Sequence, residues 1–184
     1  MEYKQKLETK DLILGKAKLD DVESIYNNYW KSEQTAKFMN WTVCKTLEEA
    51  KERIKMVIDF QKNHMAYFVY DKKTNQAIGM AAFVEIEPDV YEDGGVGLGE
   101  NFVGCGYGKQ ILNCFIEYIF NDLKAKKIIC SCNTNNTPSA KLQQSCGLKF
   151  SHSEMVTRKK DNLTYQSDVY VITREEYLRL NNKV

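Results

Sequence analysis

The sequence predicts a mixed α/β fold in which one layer of β-sheet is flanked by helices. Apolar residues recur at helical spacing in some segments, other segments alternate as strands do, and the two kinds of segment interleave along the chain. The 184 residues contain no internal repeat and no low-complexity linker. Because that length suits one folding unit, we predict a single domain over 1–184.

The first half of the chain predicts two helices and four strands. A strand at 11–19 leads into a helix at 20–30 that opens with acidic residues. The clearest helix covers 46–63, with Thr46 as its N-cap and Glu49 three residues later, as in a capping box. Turn residues then separate three further strands, which are predicted at 65–71, 76–86 and 90–98.

The second half predicts helices and strands in alternation. A wide apolar stripe marks a helix at about 108–122, and a strand follows at 126–132. A short helix at 137–146 has Gly147 as its stop. The last predicted elements are an antiparallel hairpin of 148–157 with 163–172 and a capped helix at 173–180.

Charge and composition exclude several classes of partner. The formal net charge is +1, from 26 basic and 25 acidic residues, whereas a nucleic-acid or membrane surface needs a clear basic excess. No apolar run approaches the roughly 20 residues of a membrane span, and the N-terminus lacks a signal-peptide pattern. We therefore predict no nucleic-acid partner, no membrane partner and a cytoplasmic protein with reduced thiols.

The six cysteines do not predict a metal site. Cys130 and Cys132 are separated by one residue, not by the two of a zinc knuckle, and no second Cys/His pair stands at suitable spacing. Two small apolar thiols in a buried strand are the better interpretation. We predict that the protein binds no metal.

A glycine-rich stretch directly precedes the predicted helix at 108–122. Gly104, Gly106 and Gly108 occupy alternate positions, so backbone N–H groups can converge there without intervening side chains. At a helix N-terminus such donors favour an anion, typically a phosphate. A glycine-rich turn without a ligand is the alternative. Two nucleotide loops do not fit: Val103 and Gln110 break the Walker pattern, and the glycine spacing differs from the Rossmann fingerprint.

These residues resemble a known superfamily. The segment 103–108 is similar to the acyl-CoA pyrophosphate loop of the GNAT N-acetyltransferases, and 135–150 resembles their Asn-x-x-Ser/Ala helix followed by a glycine and a strand. The segments 8–26 and 46–54 are similar to the subgroup of ribosomal-protein N-terminal acetyltransferases. The resemblance spans about 8–178, which we take as the core of the domain. It implies a central, mostly antiparallel sheet that splays at a bulge and is flanked by helices.

The resemblance implies acetyl-CoA as co-substrate and a set of residues that hold it. Asn136 would bind the pantetheine or acetyl region, and Ser139 would face the sulfur. Main-chain groups of one glycine-rich strand would pair with the pantetheine arm; they belong to Val96, Gly97 and Leu98. The pyrophosphate would lie on the amides of the loop, which comprises Val103, Gly104, Cys105, Gly106, Tyr107, Gly108 and Lys109.

The implied activity is transfer of an acetyl group to a primary amine by direct attack in a ternary complex. The amine would belong to a peptide or protein N-terminus or to a small molecule. Glu92 and Asp93 stand where members of the superfamily place a general base, and only one of two adjacent strand residues can face the cleft. Gln143 occupies the position of the usual tyrosine acid, so Ser139 becomes the candidate acid.

Several alternatives stay open at the level of sequence. Val103 and Gln143 depart from the superfamily pattern, which is compatible with a catalytically impaired acyl-CoA-binding module. A nucleotide-binding domain is a third hypothesis. Tyr165 and Tyr170 on the late hairpin are alternative proton donors. The late hairpin has an edge that can pair between chains, so the protein is expected to be a monomer or a homodimer.

Overall fold

Eight strands form one mixed sheet in the computed structural model, which describes residues 3–181. The strands are β1 (Lys6–Glu8), β2 (Leu12–Gly15), β3 (Met65–Asp71), β4 (Ala77–Glu87), β5 (Val90–Leu98), β6 (Lys127–Asn133), β7 (Lys149–Thr157) and β8 (Thr164–Thr173). Their order is β1-β2-β3-β4-β5-β6-β8-β7. β5 and β6 pair in parallel, whereas β1–β2, β2–β3, β3–β4, β6–β8 and β7–β8 pair antiparallel. The predicted mixed α/β class is confirmed.

Six α-helices lie between or after the strands within residues 3–181. They are α1 (Val22–Ile25), α2 (Glu33–Ala36), α3 (Leu47–Gln61), α4 (Tyr107–Glu117), α5 (Thr137–Ser145) and α6 (Arg174–Asn181). Two of them continue as π-helix, over Tyr26–Trp30 and over Tyr118–Asp122. The helices predicted at 20–30 and 108–122 are therefore helical over nearly their whole length, but they change type in mid-course.

Local hydrogen bonds explain where the helices begin and end. The Thr46 hydroxyl accepts from the Glu49 amide at 3.2 Å and caps α3, as predicted. The Glu49 carboxylate accepts from the Lys45 amide at 2.7 Å, one residue before the expected partner. Gly147 has φ +90° and ends α5, a backbone conformation in which glycine is favoured.

The beginning of the chain differs from the prediction. The strand expected at 11–19 is confined to β2, because the side chains of Gln61 and Asp21 bind the Ala17 and Lys18 amides at 2.7 Å each. These contacts divert the chain into a 3₁₀ turn at Leu19–Asp21. The three-residue strand β1 and the four-residue helix α2 were not predicted, since neither is long enough to show a period in the sequence.

The chain forms two compact units, and β4 and β5 contribute to both. Unit 1 comprises the residues up to Phe83 together with Gly94–Ile111. Its core is built on large apolar side chains, and the rings of Trp30 and Phe68 meet edge to face at 5.7 Å. The prediction of a single domain over 1–184 stays a prediction.

Unit 2 comprises Val84–Asp93 together with the residues from Leu112 onward. Its core includes Phe115 and Ile128, which are fully buried. The rings of Phe120 and Tyr177 stack at 4.9 Å, so α6 is held to the segment that follows α4.

Three further observations bear on the sequence expectations. Within residues 3–181 no helix combines the length and the apolar character that a membrane crossing requires. The same part of the chain brings no three His, Cys, Asp or Glu side chains together as a metal site needs. All six cysteines lie in this part, and none forms a disulfide; Cys130 and Cys132 are buried in β6, as predicted.

Candidate functional site

The glycine-rich loop of unit 1 has the backbone conformation that glycine permits. Gly104 and Gly106 have φ values of +84° and +77°, in the left-handed region. A Cβ atom added at either position would meet no heavy atom within 4 Å, so the space beside the loop is open. The glycines are therefore required by conformation and not by crowding. Val103 and Cys105, which alternate with them, are exposed.

Helix α4 begins at Tyr107, directly after this loop. The Gly106 carbonyl accepts from the Gln110 amide at 3.2 Å. Tyr107, Gly108 and Lys109 form that first turn, and their amides therefore have no acceptor within the helix. Unused N–H groups and the positive end of the helix dipole both favour an anion at this place. The loop is thus suited to a diphosphate.

Gln110 anchors the start of α4 on the turn between β1 and β2. Its Oε1 accepts from the Thr9 hydroxyl at 2.8 Å and from the Asp11 amide at 3.1 Å, and its Nε2 donates to Asp11 Oδ2 at 2.7 Å. The sequence analysis used Gln110 only to exclude a Walker loop. Its partners lie about a hundred residues earlier in the chain, so nothing near Gln110 in the sequence indicates this role.

The glycine-rich end of β5 is irregular and closely packed. Gly95 has φ +110°, a local distortion inside the strand. A Cβ at Gly97 would overlap the Tyr29 hydroxyl, and one at Gly99 would overlap the Asn28 carbonyl. The π-helical segment Tyr26–Trp30 therefore lies directly against the backbone of β5. The sequence predicted a bulge or a close backbone approach here; the close approach is confirmed at Gly97 and Gly99, and the bulge stays a prediction.

Asp93 lies in unit 2, where the pairing of β5 with β6 ends. The parallel register covers three residue pairs and finishes at Glu92 with Ile129. Asp93 Oδ1 then accepts from the Ser131 amide at 3.1 Å. Burial raises the pKa of this carboxyl to about 7, and the charge of Glu92 acts in the same direction, whereas the Ser131 hydrogen bond opposes the shift.

Glu92 has different surroundings from its neighbour, because adjacent strand residues point to opposite faces. Partial burial, followed by the charge of Glu154 on β7, raises the pKa of Glu92. Burial is the main cause of the raised pKa values of two thiols on β6; the Asp93 charge adds to the shift at Cys130 and Cys132, and the Glu92 charge adds to it at Cys130. The two candidate bases thus have different neighbours, and which of them acts as the base stays a prediction.

Helix α5 brings the remaining predicted residues together on β6. Asn136 is its N-cap, and Asn136 Oδ1 accepts from the Ser139 amide at 3.4 Å, which leaves the Nδ2 group to donate. Ser139 Oγ accepts from Gln143 Nε2 at 3.3 Å, and the same Nε2 lies 3.5 Å from the Ser131 carbonyl. Asp93, Asn136, Ser139 and Gln143 thus belong to one hydrogen-bonded group centred on Ser131.

The two tyrosines of the late hairpin are placed differently. Tyr170 is buried in β8, and its ring meets Phe150 edge to face at 5.9 Å. Burial raises the pKa of its hydroxyl, which weakens it as a proton donor. Tyr165 is half-buried near the far end of the same strand. Among the described residues, neither tyrosine forms a hydrogen bond with Asp93 or Ser139, whose bonds go to Ser131, Asn136 and Gln143.

Comparison with known proteins identifies the family of the chain. The model of the acetyltransferase (GNAT) domain matches residues 11–149. A relative described as an uncharacterized N-acetyltransferase p20, from Bacillus licheniformis, is 30% identical over 145 residues, covering 76% of this chain and 79% of its own.

Solved structures share the fold at lower identity. The ribosomal-protein-S5-alanine acetyltransferase from Vibrio fischeri superposes with a TM-score of 0.73 at 17% identity, over 92% of this chain and 97% of its own. The microcin C7 self-immunity acetyltransferase MccE, solved with acetyl-CoA and AMP, gives 0.76 at 19% identity, over 89% and 93%. The family model and the relative from Bacillus licheniformis together show that the chain belongs to the GNAT acetyltransferases, enzymes that transfer an acetyl group from acetyl-CoA.

Proposed function

We propose that the protein acetylates a primary amine, at a peptide or protein N-terminus or on a small molecule, by direct attack in a ternary complex with acetyl-CoA. The observation that carries this proposal is Asp93, a carboxylate whose pKa is raised to about 7 and whose position is fixed by the Ser131 amide. A base of that pKa suits proton removal from an amine at neutral pH.

The loop before α4 is assigned to the diphosphate of acetyl-CoA. The left-handed glycines and the unused amides at the start of α4 support this assignment, which covers Val103, Gly104, Cys105, Gly106, Tyr107, Gly108 and Lys109. Two contacts to the rest of the molecule are proposed in addition. The main chain of Val96, Gly97 and Leu98 would pair with the pantetheine arm, and Asn136 Nδ2 would donate to it.

Asp93, not Glu92, is assigned as the general base. The Ser131 amide occupies Asp93 Oδ1, which leaves Oδ2 to accept the proton. An ordinary aspartate has a pKa of about 3.9, so a pKa of about 7 makes Asp93 a stronger base by about three units. Proton transfer to Asp93 from a protonated α-amine, with a pKa of about 7.7–8.0, is then only slightly unfavourable. Transfer from a lysine amine, with a pKa of about 10.4, is more unfavourable.

In the proposed reaction, a carbon–nitrogen bond replaces the carbon–sulfur bond at the acetyl carbonyl carbon. The amine nitrogen forms a bond to that carbon, Asp93 Oδ2 takes a proton from the nitrogen, and the carbon–sulfur bond breaks with its electron pair on sulfur. Ser139 is assigned as the hydrogen-bond donor to the leaving sulfur. This role takes the place of the tyrosine that the superfamily often carries, where this chain has Gln143.

Two structural neighbours provide examples of acceptors for GNAT enzymes. One structural neighbour acetylates a ribosomal protein at alanine, and another provides immunity to microcin C7. We propose an acceptor of the first kind, a peptide α-amine, because its pKa lies nearest to that of Asp93. A monomeric or homodimeric state and a cytoplasmic location stay predictions.

A panel of amines tests the proposal. Purified protein is incubated with acetyl-CoA and, in turn, with peptides bearing a free α-amine, with N-terminally blocked peptides bearing lysine, and with small polyamines; free thiol and product mass are measured. We expect turnover to be highest with one group of α-amine peptides and to be lost in Asp93→Asn. Acetyl-CoA binding without thiol release across the panel would favour the non-catalytic module instead.

A further inference from the structure

Gln143 lies on α5, where it binds Ser139 and contacts β6 at the Ser131 carbonyl. Its role goes beyond replacing a tyrosine. We infer that Gln143 is a positioning residue that holds the Ser139 hydroxyl as hydrogen-bond donor to the leaving sulfur. The inference rests on the proposed function, because it needs acetyl-CoA to bind with its sulfur at Ser139.

Geometry assigns the direction of the Ser139 hydroxyl. Gln143 follows Ser139 by four residues, so both lie on one face of α5. Because Gln143 Nε2 donates to Ser139 Oγ at 3.3 Å, the single hydroxyl hydrogen of Ser139 stays available for another acceptor. Burial raises the pKa of the nearby Cys132 thiol on β6, and Ser139 acts in the opposite direction.

Stability does not account for glutamine at this position. The Gln143 side chain is only 3% exposed, and its Oε1 has no hydrogen-bond partner among the described residues. A buried carbonyl oxygen without a partner destabilises a fold, and an apolar side chain of similar size would avoid that penalty. A residue that lowers stability and contacts a proposed reacting group is better explained by function.

The main chain of Ser131 connects Gln143 to the proposed base. The Ser131 amide donates to Asp93 Oδ1, and the Ser131 carbonyl lies 3.5 Å from Gln143 Nε2. Ser131 of β6 therefore positions Asp93, the proposed base for the amine proton. Through Gln143 it also positions Ser139, the proposed donor to the sulfur. The sulfur leaves as a thiolate, Ser139 keeps its proton while donating the hydrogen bond, and solvent later supplies the proton that the thiolate gains.

The thiol pKa of bound CoA reports this role directly. It is measured by thiolate absorbance during a pH titration of the CoA complex, with the desulfo-CoA complex subtracted to remove the signal of the protein's own six cysteines. We expect bound CoA to have a lower thiol pKa than free CoA. Gln143→Met and Ser139→Ala should return the pKa toward the free value, with about tenfold less thiolate at a fixed pH below the pKa.

The matched control is Gln144→Met, the same change at the exposed neighbouring position of α5. It should leave the thiol pKa and turnover at the wild-type values. In Gln143→Met we expect kcat to fall about tenfold, KM for acetyl-CoA to change less than about threefold, and the melting temperature not to fall.

The outcomes separate this inference from the proposed function. A wild-type protein that binds no CoA overturns both. CoA binding with the same thiol pKa in wild type, Gln143→Met and Ser139→Ala overturns the inference alone. A lower melting temperature in Gln143→Met together with an unchanged thiol pKa identifies Gln143 as structural. If Gln143→Met does not fold, Ser139→Ala and Gln143→Leu provide the same comparison.

Discussion

At the scale of single residues, Asp93 and Glu92 differ in surroundings although they are neighbours in sequence. Both are acidic, both lie at the end of the pairing between β5 and β6, and both have raised pKa values. Only Asp93 is held by a main-chain amide, and only its pKa is raised as far as about 7. Alternation along the strand predicts that one of them faces the cleft, but their separate contacts depend on β6 and β7, which follow much later in the chain.

Activity should follow the ionisation of Asp93. We expect kcat/KM of the wild type to fall as pH drops below about 7, because protonated Asp93 cannot accept a proton. Asp93→Asn should reduce kcat by about 10²–10⁴-fold and remove that limb of the profile. Glu92→Gln is the matched control and should retain activity within a few fold. A pH profile that keeps its limb in Asp93→Asn would assign the base elsewhere.

The same pKa predicts a change of stability with pH. The folded-state pKa of Asp93, about 7, lies above the ordinary value of about 3.9, so between these pH values the folded chain binds the extra proton. The Asp93 contribution to the free energy of unfolding therefore falls as pH rises from about 4 to about 7. Asp93→Asn should gain in melting temperature relative to wild type between pH 5 and pH 8; an equal difference at both values contradicts the assignment.

Gly106 provides a test of the loop at the same scale. Alanine at φ +77° is strained by about 1–2 kcal/mol, but its methyl group would meet nothing. Because this exposed loop can relax in the free protein and must regain the left-handed conformation to bind, we expect Gly106→Ala to weaken acetyl-CoA binding about 5–30-fold by calorimetry with little loss of fold stability. Gly15→Ala is the control: its backbone is ordinary, and its added methyl would lie 3.4 Å from Tyr70. Equal affinity for acetyl-CoA in both variants would show that the loop does not bind the ligand.

At the scale of elements, period and capping predicted the long helices well, and short elements were missed. Thr46 and Gly147 were identified from sequence because a cap and a stop act over four residues. β1 and α2 are too short to show a period, whereas the π-helical segments have partners far along the chain. The Tyr26–Trp30 segment is an example, because it packs against the backbone of Gly97 and Gly99, which follow some seventy residues later in the chain.

That contact between elements can be tested by substitution and repair. Gly97→Ala should lower the free energy of unfolding by about 1–3 kcal/mol, because the added methyl overlaps the Tyr29 hydroxyl. Removing the hydroxyl in a Tyr29→Phe background should restore part of the loss, since the ring carbon still lies 2.9 Å from the added atom. Urea denaturation of both single variants and the double variant measures the coupling. Additive losses would show that the two residues do not meet.

At the scale of the whole molecule, acetyl-CoA should act as a stabilising ligand. Binding to the folded state alone adds about 2.7 kcal/mol at a hundredfold excess over Kd. For a chain of 184 residues this corresponds to a rise of about 5–10 °C in melting temperature. ATP and NAD at the same concentration should produce much smaller shifts. A larger shift with either nucleotide would revive the nucleotide-binding hypothesis.

The candidate site was only partly predictable, for a physical reason. The loop glycines, Asn136 and Ser139 stand in short motifs whose chemistry is local, so the sequence could propose them as candidates. Gln110 and Gln143 escaped because their roles lie in contacts: Gln110 binds the Thr9–Asp11 turn, and Gln143 binds Ser139 beside β6. When a polar side chain replaces an expected residue, the sequence alone indicates only a lost function. Its partners in the fold are needed to find the role that it has.

The exposed thiol between the two left-handed glycines also makes the loop accessible to chemical footprinting. Cys105 is exposed, whereas Cys44, Cys130 and Cys132 are buried and the remaining two cysteines are partly covered. A maleimide dye should therefore modify Cys105 first, and a molecule seated on the loop should shield it. The labelling rate would then report the fractions of free and ligand-bound protein in a mixture. The measurement does not require knowledge of the amine that the enzyme prefers.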